Sequence, residues 1–537
     1  MTPIRNIWRR WVSVQDDDGT GDVGMKKKHV VSAVLLAALL TGCGGDTVPE
    51  EQNIIDTVLA DVPYGESATP TPEDSTFRRP ENLPSARVDL AGYECAADKR
   101  AVFSAAELPE TFYVLDAWSR EPVYEGKLRK KGEEGDRILY QADFSSVGTP
   151  GEYVLYNESC GYSDPFLIRD GIYTDRIGNY LDRLKECRCG DSCHTSTAEG
   201  RDVSGGWHTE GNYRRDVCNG AGIMLNLLLA YEYEPEAFAE GSVLPYRPNG
   251  IPDVLEETAR EAQWLHKMRE PDGSVHAAVA AVGITDHEDA SADLSEQVLE
   301  PVNRDATILF TAAMARFSAV WKAYDAEMAA QCLKDAEDAY AWLKKDGSTE
   351  DGAWYMLNTI LFRTTGEDIY HKDILTLLSR PGTRLEGQKV GCVDPVFMGD
   401  HNYLSTKRIA DQDSCEKIMD DIMKRARRIS EASYADPWLV GEDGKTEDIP
   451  ALLADAGLLT WVNGVITNRE YRRVIQEHVH CLCGRNRRNE NYVTDHGVRT
   501  EAGEGSDGDF SESTELYYGS ELVVILSRID IRYEQVY

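Results

Sequence analysis

The chain has 537 residues, enough for two or three domains and a large core. Its 57 basic and 93 acidic residues leave a formal net charge of −36. That field repels nucleic acid and anionic lipid as partners but does not oppose a neutral polymer such as a glucan.

Residues 1–24 carry no targeting character and read as an extension from a start placed too early, with translation expected from Met25. Residues 25–43 read MKKKHVVSAVLLAALLTGC. Three lysines precede an apolar run too short to span a bilayer as a mature helix, which is the pattern of a signal peptide. Leu40-Thr41-Gly42-Cys43 resembles a bacterial lipobox. It implies cleavage before Cys43, lipidation of Cys43, and an extracytoplasmic protein held to the cell membrane by that anchor alone. Residues 44–85 are rich in Asp, Glu, Pro and Thr and poor in large apolar side chains, which predicts a disordered acidic tether. There are twelve cysteines; setting Cys43 aside leaves an odd number, so one thiol is free or some cysteines bind metal.

Over residues 86–170, short alternating runs (RAVFSA, TFYVLDA, RILYQADF, GEYVLYN) are separated by turn residues, which predicts an antiparallel β-sandwich. Cys95 and Cys160 lie near its two ends and could pair. From residue 171 to 537 the period becomes helical. Helices are expected at 223–233, 251–268, 306–324, 328–343, 353–363, 413–432, 449–462 and 468–478, paired through polar, glycine-rich connections. Some of them are apolar on nearly every face, which suggests an inner and an outer ring.

One stretch organises the helical part: residues 201–222, RDVSGGWHTEGNYRRDVCNGAG. Ser204, Gly205, Gly206, Trp207, His208, Gly211 and Tyr213 match the Ser-Gly-Gly-Trp-His-Asp-Ala-Gly-Asp-Tyr signature, and the segment resembles the family 9 glycoside hydrolases, mostly cellulases. Further matches follow in order: Asn249-Gly250-Ile251-Pro252-Asp253 through Met268, Pro271-Asp272-Gly273-Ser274-Val275-His276, Arg304 to Ala315, Thr365-Gly366, Cys483-Gly484-Arg485-Asn486 and Tyr492-Val493-Thr494. Gly92-Tyr93, Asp143-Phe144-Ser145 and Pro150-Gly151-Glu152-Tyr153 look like the immunoglobulin-like module that precedes many catalytic domains of this family. The resemblance implies an immunoglobulin-like sandwich followed by an (α/α)6 barrel, and hydrolysis of β-linked glucans or oligosaccharides with inversion.

An inverting glycosidase needs a carboxylate base and a carboxylic acid about 6.5–9.5 Å apart on opposite faces of the sugar. In the family the base is the last Asp of Asp-Ala-Gly-Asp; here Thr209 and Asn212 occupy those two positions. An amide is no base at neutral pH, and losing general-base help costs about 10² to 10⁴ in rate. Glu210 is the nearest replacement, or else a solvated loop carboxylate. The family's acid position falls on Ser513, with Glu512 and Glu515 as neighbouring replacements. Trp207, His208, Tyr213, Arg485 and Tyr492 are the substrate-binding candidates, because pyranose C–H faces stack on aromatic rings. Trp354, His401, Tyr403, Trp461, Tyr517 and Tyr518 are further ring candidates, each of which could equally be core.

Cys187, Cys189, Cys193 and His194 pack three thiols and an imidazole into eight residues. Thiolate and imidazole suit tetrahedral zinc. The resemblance implies a structural zinc on Cys189, Cys193 and His194; the family's remaining ligand falls on Arg215, which cannot serve, so Cys187 or Cys218 would complete the set. The same cysteines could instead form a disulfide. Calcium sites cannot be picked out among so many acidic residues. Two functional readings follow: a hydrolase with relocated carboxylates, and a non-catalytic, membrane-tethered carbohydrate-binding or scaffold protein that kept the barrel.

Overall fold

Alternating apolar residues fold into the expected sandwich. In this computed structural model the described residues are 83–190, 197–209, 213–239, 241–243, 249–281, 296–380, 385, 387–441, 446–494, 497–500 and 511–529, without the side chains of 511–513. They belong to one compact unit beginning at Arg79. The extension, the signal segment with Cys43 and nearly all of the tether lie outside the described residues.

One sheet has the order β1 (Ala86–Arg87), β2 (Arg100–Ala105), β6 (Arg137–Asp143), β5 (Arg129–Glu134). The other runs β4 (Pro122–Lys127), β3 (Thr111–Asp116), β7 (Gly151–Asn157), β8 (Gly161–Tyr162), with β9 (Phe166–Ile168) also on β7. Val88, Phe103, Phe112, Val114, Phe144, Leu155 and Phe166 fill the space between the sheets. β5 was not expected: its sequence RKKGEE has no apolar alternation, as suits a charged edge strand. Cys95 and Cys160 are free thiols rather than a pair.

Twelve α-helices follow among the described residues. Six form the outer ring: α1 (Ile172–Glu186), α3 (Asp253–Lys267), α5 (Ala326–Asp346), α7 (Asp368–Leu378), α9 (Gln412–Ala435) and α11 (Arg469–Leu482). Six alternate with them as the inner ring: α2 (Val217–Tyr233), α4 (Arg304–Trp321), α6 (Asp351–Thr365), α8 (Pro395–Ser405), α10 (Ile449–Val465) and α12 (Ser511–Ile529). Inner helices are buried on nearly every face, as α2 and α4 show, whereas the outer α9 buries one stripe. α12 packs on both α2 and α10 and closes the ring. The architecture is therefore a β-sandwich followed by an (α/α)6 barrel.

Buried polar bonds lock the two parts together. His480 Nδ1 lies 2.8 Å from Asp89 Oδ2, Leu90 N–H donates to Cys483 O at 2.8 Å, and Arg100 pairs with Glu477 at 3.0 Å. Arg485 is 0% exposed. It pairs with Glu477 at 2.9 Å and donates to Trp438 O at 2.9 Å, so it pins α11 to this interface.

Candidate active site

Because outer and inner helices alternate, all six inner helices point the same way. The loops leading into them gather at one end of the barrel. A small sheet ties two of these loops together: residues 197–198, 201–202, 215–216, 278–281 and 297–299 pair edge to edge. This end carries the segment around Gly205 and Gly206 and is the barrel's mouth.

The segment is caged. Cys189 N–H donates to Gly206 O at 2.8 Å and His208 N–H to Cys187 O at 2.6 Å, so Arg188 and Trp207 form a bridge. Gly206 has φ 82°, and a Cβ there would fall 2.5 Å from Trp264 Cδ2, so only glycine fits. The buried Arg215 guanidinium donates to Gly205 O at 2.8 Å, to Val203 O, and to Gln297 Oε1 at 3.3 Å. Lys267 Nζ donates to Ser204 O at 2.7 Å and pairs with Asp202 at 3.0 Å. Hydrogen bonds from Ser204 and the Lys267 charge hold the Asp202 carboxyl down at about 2. Beneath the segment sits Glu261, 1% exposed. Burial pushes its carboxyl up to about 8, while the Trp207 N–H and the Arg215 charge pull the other way. The carboxyl packs directly against α2, since a Cβ on Gly220 would fall 2.0 Å from Glu261 Oε1 and would push it aside.

Beyond Trp207 the chain turns back sharply. Thr209 is buried; its N–H donates to Arg214 O at 3.0 Å and its hydroxyl accepts from Asp216 N–H at 3.3 Å. Tyr213 sits at φ 59°, unusual for a residue other than glycine, and its ring meets His208 edge-on at 5.3 Å. Arg214 pairs with Glu300 at 2.8 Å and with Asp216 at 2.7 Å. Glu210 and Asn212 lie outside the described residues.

The structure revises several expected binding residues. Trp207 is 1% exposed and packs inside the cage, so it is not a stacking platform. Tyr492 is likewise 1% exposed, its backbone N–H bonded to Leu482 O at 2.8 Å. Arg485 is the interface pin described above. His401, Tyr403, Trp461, Tyr517 and Tyr518 are also buried. Tyr213 and Trp354 remain half-buried rings, and His208 is buried beside Tyr213. On α12, Glu515 falls about 160° round the helix from Tyr517, which faces α2. Its carbonyl lies against Gly497, so the side of α12 that carries Glu515 faces the 493–498 hairpin rather than the axis. The side chains of Glu512 and Ser513 lie outside the described residues.

Cys187 and Cys189 flank Arg188 in the bridge, and strand alternation puts them on one side of the ribbon. Both are buried. Two thiols so placed fit half of a tetrahedral zinc set. Cys193 and His194 lie outside the described residues. Among the described residues no three His, Cys, Asp or Glu groups converge to hold a metal. Cys218 stands instead beside the segment leading into α8, its Cβ 3.5 Å from where a Cβ on Gly391 would lie.

Comparison with known proteins agrees with this architecture. The family model "Glycosyl hydrolase family 9" matches residues 170–502, and "Cellulase N-terminal ig-like domain" matches residues 82–161. The chain is 24% identical over 465 residues to Endoglucanase D of Acetivibrio thermocellus, covering 77% of this chain and 73% of that protein. It is 26% identical over 528 residues to a cellulose 1,4-beta-cellobiosidase of the same organism, covering 78% of this chain and 58% of that protein. A metagenome-derived family 9 endoglucanase structure superposes with a TM-score of 0.72 at 21% identity, over 83% of this chain and 98% of the other, which shows the shared fold.

Proposed function

The chain belongs to glycosyl hydrolase family 9, and on that premise we propose that it is an exported hydrolase of O-glycosidic bonds in β-linked glucans or oligosaccharides, acting with inversion. The observation that carries this reading is the intact cage around Gly205 and Gly206. Arg215 and Lys267 bond the carbonyls of Val203, Ser204 and Gly205 and fix the segment at the barrel mouth, the support that a binding or catalytic loop needs. Its carboxylates differ from the family pattern, with Asn212 and Ser513 at the usual positions and Glu210, Glu512 and Glu515 as the candidates the sequence offers nearby. Those same two substitutions favour the second reading, a tethered carbohydrate-binding or scaffold protein. Reducing-end release from a panel of soluble β-glucans and oligosaccharides, with binding measured on the same panel, separates the two. Turnover is expected. Binding without turnover would leave a lectin-like barrel.

The signal segment and lipobox support anchoring through Cys43. Metabolic labelling with an alkyne fatty acid should mark the wild-type chain and not Cys43→Ala.

Zinc on Cys189, Cys193, His194 and Cys187 would act as a cross-link bracing the segment that Trp207 bridges, since four protein ligands leave no open position for chemistry. Elemental analysis is expected to find one zinc per chain, lost in Cys189→Ser. A metal-free chain with oxidised thiols would make the cluster a disulfide.

A further inference from the structure

A cavity of about 110 Å³ lies between α2, α8, α10 and α12, room for several waters. Its rim is Lys389, Cys392 and Asp394, in the stretch entering α8, and Phe397 and Leu453 are among its apolar walls. α12 lends it a polar edge. Tyr517, Ser520, Glu521, Val524 and Arg528 recur every three or four residues, the spacing of one helix face. That face looks at the axis: the Tyr517 ring abuts Gly222 of α2, Asn226 Nδ2 donates to Ser520 Oγ at 2.9 Å, and Arg528 lies over the Tyr233 ring at 4.6 Å. Among the described residues Glu521 is the one carboxylate on this face. It lies eight residues beyond Ser513, about 12 Å further along the helix.

The surroundings of Glu521 suit a proton donor. Its carboxyl is raised to about 7, first by burial and also by the Asp394 charge, against the Tyr517 hydroxyl and the Lys389 charge. Cys392 and Tyr518 are the other ionisable groups that feel it, and Arg425 of α9 lines the same cavity. Asp394 is fixed differently. Its Oδ1 accepts the N–H groups of Val396 at 2.9 Å and Phe397 at 3.0 Å, so the exposed carboxylate is held at the rim and cannot swing away. One cavity thus carries a half-buried carboxyl and an exposed, anchored one, and two carboxyls in such unlike surroundings can take opposite proton roles.

We propose that Glu521 and Asp394 are the acid and base of this chain, acting on a β-linked glucan whose end reaches the rim of this cavity. The proposal rests on the hydrolase reading above. Glu521 gives its proton to the glycosidic oxygen as the bond from that oxygen to the anomeric carbon breaks. The oxygen of a water forms the new bond to that carbon, and its surplus proton passes to Asp394. The leaving alcohol departs neutral, and the two carboxyls exchange the proton through solvent before the next turnover.

The test compares wild type, Glu521→Gln, Glu521→Asp, Asp394→Asn and Glu210→Gln on β-linked oligosaccharides and on a dinitrophenyl β-glycoside, with melting temperatures for each. Glu521→Gln should lower kcat on oligosaccharides about 100-fold or more and far less on the dinitrophenyl glycoside, whose leaving group needs no proton. Glu521→Asp should show the same leaving-group dependence with a smaller loss, and Asp394→Asn should lower both substrates alike. Wild-type turnover that survives Glu521→Gln, or losses without leaving-group dependence in both Glu521 variants, would overturn the proposal and leave the hydrolase reading standing. Undiminished turnover in Asp394→Asn would overturn it through the base. A wild type inactive on every substrate would overturn both.

Discussion

Replacing Glu261 by glutamine is expected to stabilise the protein at pH 8 and to change it little at pH 4. The native carboxyl is pushed up to about 8 from an ordinary value of 4.5, burial being the first cause. Between those values the folded chain keeps a proton that the unfolded chain has released. The unfolded state then binds fewer protons than the native one, so stability falls as pH rises. The slope is about 1.4 kcal/mol per pH unit, and it levels off above the native value. Glutamine carries no charge at any pH and removes this contribution. Glu521 and Glu257 are also raised, so the variant keeps some slope of the same sign; the difference between the two proteins isolates Glu261. Denaturant melts from pH 4 to pH 9 should give curves that meet near pH 4 and separate steadily to pH 8, with the variant above. Parallel curves would mean that Glu261 is ionised in the native state and paired with Arg215.

The sandwich was legible because its strands alternate, and β5 escaped because charged edge strands do not. Eight of the helices were legible for a similar reason, whereas α1, α7 and α12 were not singled out. α8 was not: PVFMGDHNYLS places Gly399, Asp400, His401 and Asn402 inside a helix, and its apolar period is broken. It is helical because the barrel gives Asp400 and Asn402 partners. The Tyr355 hydroxyl donates to Asp400 Oδ1 at 3.0 Å, and Arg363 donates to Asn402 Oδ1 at 3.1 Å. Only its start was written locally, in Asp394 and Pro395.

The site divides in the same way. The Gly-Gly turn could be placed from its residues, since its glycines answer to Trp264 packing from a distant helix. Ring residues near the motif could not be sorted into platform and core, because composition does not reveal which face of a loop is covered. Trp207, Tyr492 and Arg485 all proved to be covered. Glu521 was not legible as an acid because the spacing of the family motif points to Ser513, eight residues earlier. A signal was present: in LYYGSELVVILS a single carboxylate interrupts the inward stripe of an otherwise apolar helix. Read with the helical period, that position demands a partner or a function.

The cage itself can be broken at Arg215. Arg215→Met is expected to cost about 3–5 kcal/mol, the range for removing a buried charged partner. Methionine keeps most of the apolar stem, so the loss reports on the guanidinium. That group satisfies the carbonyls of Val203 and Gly205 and the side chain of Gln297. Each buried acceptor left empty costs about 1–3 kcal/mol. Its charge also lowers the Glu261 carboxyl, so removal should raise that group further and steepen the loss of stability with pH. At pH 8 and above, where Glu261 ionises, the effects of Arg215→Met and Glu261→Gln should therefore not add: with glutamine in place, part of what Arg215 offsets is gone. Denaturant melts of the two single variants and the double variant measure this directly. Amide exchange at Cys189 and His208, the two N–H donors of the bridge, should quicken by more than the global loss predicts, because the bridge then keeps only the backbone side of the cage. If Arg215→Met melts within about 0.5 kcal/mol of wild type, as a surface change would, the segment is held by its backbone pairing alone. The mouth would then owe its rigidity to the small sheet rather than to Arg215 and Glu261.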